Sequence, residues 1–468
     1  MKHKFFGSPL GLLPLLCGSL LLSGSLPVSA DTAVRVSEAE HKAQSPEIAL
    51  GPDGIVHIVW IDENTAAPAH DHSKYGHSHV AATNLLYARS NDGGKTYSTP
   101  VRLNSTLGDV WGFSVSKPRI VVGGNGTVHV FYAGNDVNPV NGKPEAVAMY
   151  TRSGDGGRSF STPQRLNTMA KTDASDFVHG GLTHAHVFGT LTTDGRGNVY
   201  ALWIDTRDMA KEGDSGKVFM AVSRNDGQSF ETDREILPAD VCPCCQLTAF
   251  AAGDGRLYVG SRQVEGKFRD SVLMVSSDGG RTFSPRQRIT TQRWEIEGCP
   301  LKATSVAAAE GVVLATFFSG GETKPGAYVA RSTDGGRSWS TPVPTHPDAV
   351  VADAPVVAVA GKTVHLFWHA KLADGVRRVF TRASHDLGAS YGPIHEITGP
   401  AGTALQLPVI AGRSDGSVQV AWQQGTEVHA MRWREPAPAR AVKTSIGECA
   451  RAGDYCAGSV QAGIPSGR

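Results

Sequence analysis

The chain has 468 residues, with 45 Lys and Arg against 44 Asp and Glu, for a formal net charge of +1. The charges form no long block of one sign, which argues against nucleic acid or an anionic membrane as partner. Beyond the first 30 residues no apolar stretch approaches the length that spans a bilayer, so no membrane span is expected.

The opening MKHKFFGSPLGLLPLLCGSLLLSGSLPVSA carries Lys2 and Lys4, an apolar run and the small-residue site Val28-Ser29-Ala30. That pattern predicts a signal peptide over residues 1–30 and an exported protein, periplasmic or secreted. Cys17 sits inside the apolar run with more leucines after it, which argues against a lipid anchor. Of seven cysteines, six then remain: Cys242, Cys244, Cys245, Cys299, Cys449 and Cys456. An even count in an oxidising compartment favours disulfides.

From residue 33 onward the chain repeats. Two β-branched runs split by Gly, Asp or Asn recur seven times, first as PEIALGPDGIVHIVW from Pro46 and PRIVVGGNGTVHVFY from Pro118, and last as PVIAGRSDGSVQVAW from Pro408. Each predicts a β-hairpin. A third run follows each hairpin, and six of the seven then pass through a short turn to a fourth run such as TPVRLN. The turns read SNDGGKTY at Ser90–Tyr97, SGDGGRSF at Ser153–Phe160, RNDGQSF at Arg224–Phe230, SSDGGRTF at Ser276–Phe283, STDGGRSW at Ser332–Trp339 and SHDLGASY at Ser384–Tyr391. In each the Asp can accept bonds from its own turn, and Gly supplies a positive φ.

These turns resemble the Asp-box, or BNR, repeats of the sialidase-like β-propeller superfamily, and VCPCCQ from Val241 resembles a segment of exported bacterial sialidase-like proteins. The resemblance implies an all-β propeller over residues 31–434. Seven hairpins make seven blades the expectation, with the six blades of the sialidase family as the alternative. The seventh unit lacks a fourth strand, which Ala33–Glu38 is expected to supply, closing the ring and hiding its edges. Residues 435–468 read as a Pro/Ala linker and a tail holding Cys449 and Cys456.

Strand alternation puts the Asp boxes on one face and the longer, chemically varied segments on the other. That second face is where a site is expected. His70, His72, His77 and His79 form two His-x-His pairs in an insertion. They are candidate ligands for copper or zinc, against the alternative of a solvated loop. His184 and His186 belong to the same face. Cys242, Cys244, Cys245 and Cys299 are expected near one another, either as disulfides (a vicinal Cys244–Cys245 bond among the choices) or as thiolate ligands. Arg262, Arg269, Asp270, Trp294 and Glu295 form a charged and aromatic set that could hold a carboxylate or a sugar, or be a solvated loop.

The sialidase resemblance implies an arginine clamp, a tyrosine nucleophile and a carboxylate acid/base. The first hairpin strand reads Ser45-Pro46-Glu47-Ile48, without the expected arginine, and no candidate stands out for the tyrosine. The expectation is therefore a monomeric propeller that binds a small ligand, glycan or metal ion. A glycoside hydrolase and a protein-docking scaffold are the alternatives.

Overall fold

The computed structural model describes residues 32–63, 83–112, 116–137, 144–168, 184–209, 215–397, 399–400 and 402–436. The predicted signal peptide, the His70–His79 insertion, Cys449 and Cys456 lie outside them. Among the described residues there is no helix, and hence none long and apolar enough to cross a membrane. The compact body ends at Glu435, and Pro436–Arg468 forms a separate unit.

The strands group into seven antiparallel modules. The first consists of Lys42–Leu50, Val56–Glu63, Thr83–Ser90 and Val101–Arg102, each paired with the next. Modules two to six repeat this order, with first strands at Arg119–Val122, His184–Thr193, Thr248–Ala251, Ser305–Ala309 and Val351–Ala360. The seventh has Leu405–Gly412, Val418–Gln424 and Glu427–Trp433, and its fourth strand is Val34–Arg35, with Val34 opposite Ala430. Modules two, three and four are joined into one 12-stranded sheet, partly by a parallel pairing of His184 and Ala185 with Glu145 and Ala146. Each first strand packs on that of the next module, and the seventh packs on the first.

Second strands carry the core. Trp60, Trp203, Trp368 and Trp422 occupy one position of the repeat and are completely buried. Module four has Ser261 at that position, also buried. Adjacent modules interlock through aromatic pairs. Phe160 packs edge-on against Tyr87 at 4.8 Å, and Phe230 against Tyr150 at 4.8 Å. Such pairs contribute about 0.5–1.5 kcal/mol beyond their burial.

The Asp boxes are self-contained turns. Asp334 Oδ1 accepts from the backbone N–H of Arg337 at 3.0 Å and of Ser338 at 2.9 Å, while Ser332 Oγ accepts from the N–H of Gly336 at 2.8 Å. The third box departs from its sequence reading. Asn225, not Asp226, accepts from the N–H of Ser229 at 3.0 Å. Asp226, at φ 61°, instead turns to the preceding module, where Thr127 Oγ1 donates to it at 2.6 Å. That contact joins an Asp box to a hairpin turn, so these two kinds of loop share one end of the molecule.

Candidate functional site

The opposite end holds a cavity of about 550 Å³ at the convergence of the first strands. Its walls come from residues at or just before those strands: Glu47, Lys117 and Arg119, Gln246 and Thr248, Pro300–Ser305, Asp353–Val357, and Gln406–Ile410. His369 and Arg377 add the top of module six. A second cavity of about 570 Å³ shares Glu47, Arg119, Thr248 and Ser305 with it and runs on between the strands.

A backbone irregularity sets the direction of these side chains. Ser45, Phe188, Ala354 and Leu407 have φ between 48° and 54°, and at each the pairing with the second strand slips. Leu301, with φ 55°, stands just before the fifth module's first strand. Such bulges bend a strand and re-aim the side chains beyond the bend. Left-handed non-glycine residues cost about 1–3 kcal/mol each and cluster where structure is held for function. Here three of them, Leu301, Ala354 and Leu407, line the cavity.

The polar groups form connected pairs. Arg119 Nη1 donates to Glu47 Oε2 at 2.9 Å, and Arg119 Nη2 donates to the Leu247 carbonyl at 3.3 Å. Lys302 Nζ donates to Asp353, and His369 Nε2 stands 4.0 Å from the same carboxylate. The backbone N–H of Leu407 donates to His369 Nδ1 at 3.1 Å, which puts the ring proton on Nε2. Burial brings the His369 imidazole down to about 3, so it is neutral at physiological pH. Arg377 donates to the Gln406 amide oxygen. Burial lowers the Lys117 ammonium to about 8, against the opposing pull of Glu47. Four cations therefore face two carboxylates, a net charge of +2 with Lys117 protonated and His369 neutral.

The residues singled out in the sequence lie beside this cavity rather than in it. Arg262 is buried; it donates to the carbonyls of Arg269 at 2.7 Å and Phe318 at 3.0 Å, and its guanidinium lies 5.1 Å from the Trp294 ring. Asp270 accepts from Arg293 Nε at 2.6 Å and from the Trp294 N–H at 2.9 Å. Arg269 donates to the carbonyl of Gly266, and exposed Glu295 lies 4.0 Å from Lys267. These groups bond within module four and to Phe318 of module five. Trp294 in turn packs on Phe318 at 5.4 Å, and Lys302 Nζ lies 4.8 Å above that ring. The hairpin thus buttresses a cavity cation from behind.

His186 is wholly buried between two acids. Its Nδ1 is 2.7 Å from Asp205 and its Nε2 2.9 Å from Glu145. Burial opposes its charge, but the two carboxylates prevail and raise it above its ordinary value. Arg207 binds Asp205 through Nε at 2.8 Å and Nη2 at 2.6 Å, and Arg165 lies 2.7 Å from Glu145. This chain of charges locks module two to module three. His184 contributes the adjoining parallel pairing through its backbone.

The four cysteines do meet, but not as two disulfides. Cys244 pairs with Cys299 across module boundaries, leaving Cys242 and Cys245 as buried free thiols, so the vicinal Cys244–Cys245 bond does not form. Cys242 Sγ lies 3.1 Å from Cys245 Sγ and 3.2 Å from Cys299 Sγ. The sulfurs of Cys242, Cys245 and Cys299 are close enough together to hold a metal ion. Cys299, however, is already bonded to Cys244, so three thiolates become available only on reduction.

The sequence reading missed Lys117, Arg119, Lys302 and Arg377. A signal for Arg119 was present. The repeat x-Pro-x-Ile places a charge after proline only in Pro46-Glu47 and Pro118-Arg119, where the sixth and seventh copies have Val356 and Val409. A charge breaking an apolar repeat marks a wall that faces water.

Residues 247–427 match the family model described as a BNR repeat-like domain. This match and the Asp boxes agree with a sialidase-like, BNR-repeat architecture. No curated protein matches the sequence. Among solved structures, a protein of unknown function from Dyadobacter fermentans is 13% identical with a TM-score of 0.50, over 87% of this chain and 99% of that one. A Penicillium chrysogenum alpha-L-arabinanase is 15% identical with a TM-score of 0.48, over 77% and 99%. The Hadza microbial sialidase Hz136 is 15% identical with a TM-score of 0.47, over 75% and 73%. At these identities the likeness is one of fold.

Proposed function

We propose that this chain is an exported, seven-bladed, closed propeller that binds a small anionic molecule in its central cavity. One observation carries the reading: four cations and two carboxylates converge from four modules on a single cavity of about 550 Å³. The Lys117 ammonium makes no hydrogen bond or ion pair among the described residues, and Arg377 meets only a neutral amide. Burying the Lys117 ammonium without a counterion is costly; an incoming carboxylate or phosphate supplies one, and the exposed Arg377 can bind the same anion from the cavity mouth. The backbone strain around the wall fits a site built in advance of its ligand.

Hydrolysis has less support. No tyrosine lines the cavity among the described residues, and both carboxylates are held in pairs with Arg119 and Lys302. A glycosidase needs one carboxyl group free to carry a proton. Copper or zinc at His70, His72, His77 and His79 remains a separate proposal, resting on their spacing and on the strand ends Glu63 and Thr83 that bracket them at the cavity end.

The test is a thermal-shift panel on the mature chain. N-acetylneuraminate, galacturonate, citrate and inorganic phosphate are compared with uncharged sugars such as galactose and arabinose. The reading expects at least one anion to raise the melting temperature with saturation, while the neutral sugars do not. Stabilisation by neutral sugars alone, with no anion effect, contradicts it.

A further inference from the structure

Beyond ligand binding, the cysteine cluster is arranged for chemistry. Cys242 Sγ stands close to two other sulfurs, 3.2 Å from Cys299 and 3.1 Å from Cys245. Three of the four cysteines are buried, and Cys299 alone is exposed. Leu301, two residues after Cys299, sits in the left-handed region and turns the chain there. Cys242 donates to Cys245 and the Arg262 charge lies nearby, so of the two thiols Cys245 is the better held as a thiolate.

We infer that the four cysteines form an internal dithiol–disulfide exchange centre, with Cys242 as the shuttle and Cys299 as its outlet to solvent. Cys242 passes its proton to Cys245, to which it already donates, and its sulfur attacks Cys299 Sγ. The Cys244–Cys299 bond breaks, and its electron pair leaves on Cys244 Sγ, which takes the proton from Cys245. Cys245, again a thiolate, then attacks Cys242 Sγ, forming the Cys242–Cys245 bond and expelling Cys299 as a thiolate, which takes a proton from water at the surface. One disulfide, one thiol and one thiolate enter and leave before that last protonation, so no outside oxidant or reductant is consumed. Attack by a thiolate on a neighbouring disulfide sulfur is the ordinary route of such exchange. The rearranged form presents a surface thiol at Cys299, next to Pro300–Lys302 of the cavity wall.

The test uses the full mature chain, incubated natively with iodoacetamide, then acid-quenched, denatured and mapped by mass spectrometry. Cys299 is expected to become alkylated over time while a disulfide appears within Cys242–Cys245, as each visit to the rearranged form is trapped. Cys242→Ser should slow that alkylation at least about tenfold, because the shuttle sulfur is gone. Cys245→Ser should also block it, but with Cys299 now linked to Cys242 in part of the molecules, so either variant is informative if the other fails to fold. Cys299 that stays linked to Cys244 and unalkylated, two complete disulfides in the isolated protein, or stoichiometric zinc or copper on the thiols would each overturn the proposal.

Discussion

Arg119 and Glu47 meet at 2.9 Å across neighbouring modules, although 72 residues separate them in the chain. Each follows a proline on a first strand, so the same position of two successive repeats carries opposite charges to one point in the cavity wall. The pair neutralises itself, and the surplus positive charge therefore resides in Lys117 and Arg377.

Replacing Glu47 by Gln raises the cavity charge from +2 to +3 while keeping the side chain's shape. Anion affinity is expected to increase several-fold, and stability to fall by about 1 kcal/mol through loss of a charged hydrogen bond. Titration calorimetry and thermal melting read the two effects separately. Weaker anion binding in this variant would place the ligand on Glu47 rather than on the cations.

Lys117 gives the site a pH dependence. Its ammonium is lowered to about 8 by burial, so its charge is present below that value and lost above it. Anion binding should weaken as pH rises from 7 to 9, and near pH 8 binding should take up protons, because an anion beside the amine favours its charged form. Lys117→Met should bind more weakly at pH 7 and show a flat profile over the same range. The proton uptake appears as a dependence of binding enthalpy on buffer ionisation.

His186 governs stability instead. Its folded value is raised, so the stability it contributes is complete below its ordinary value of 6.5 and is lost as pH rises through the folded value. Asp205 and Glu145 are lowered, held by His186 and the arginines against burial, so their contribution is present above the ordinary carboxylate range and lost as pH falls. This network should therefore stabilise most between about pH 4.5 and 6.5. His186→Leu leaves two buried carboxylates facing each other and should cost about 3–5 kcal/mol, read from denaturant unfolding. An unchanged midpoint would mean that the network contributes nothing net.

The repeat made the architecture readable. Hairpin runs and Asp boxes have fixed local periods, and even the strand contributed by Val34–Arg35 was visible as a missing fourth run. The third box was misread by one position because Asn225 supplies the same acceptor oxygen that aspartate does in the other boxes. The cavity was far less readable, since its charges come one or two at a time from separate repeats. Arg262 and Asp270 drew notice as a local cluster, yet nearby groups satisfy them, Arg262 on the Arg269 and Phe318 carbonyls and Asp270 on Arg293. Lys117 and Arg377 were passed over because nothing near them in sequence announces a shared wall.

The most direct measurement is titration calorimetry of the best-stabilising anion against the mature protein and against Arg377→Met. Arg377 faces the cavity and holds only Gln406, so its loss should leave the fold intact. A weakening of about tenfold, corresponding to 1.4 kcal/mol, is the predicted result. Affinity unchanged in Arg377→Met and equally unchanged in Lys117→Met would put the ligand somewhere other than the central cavity.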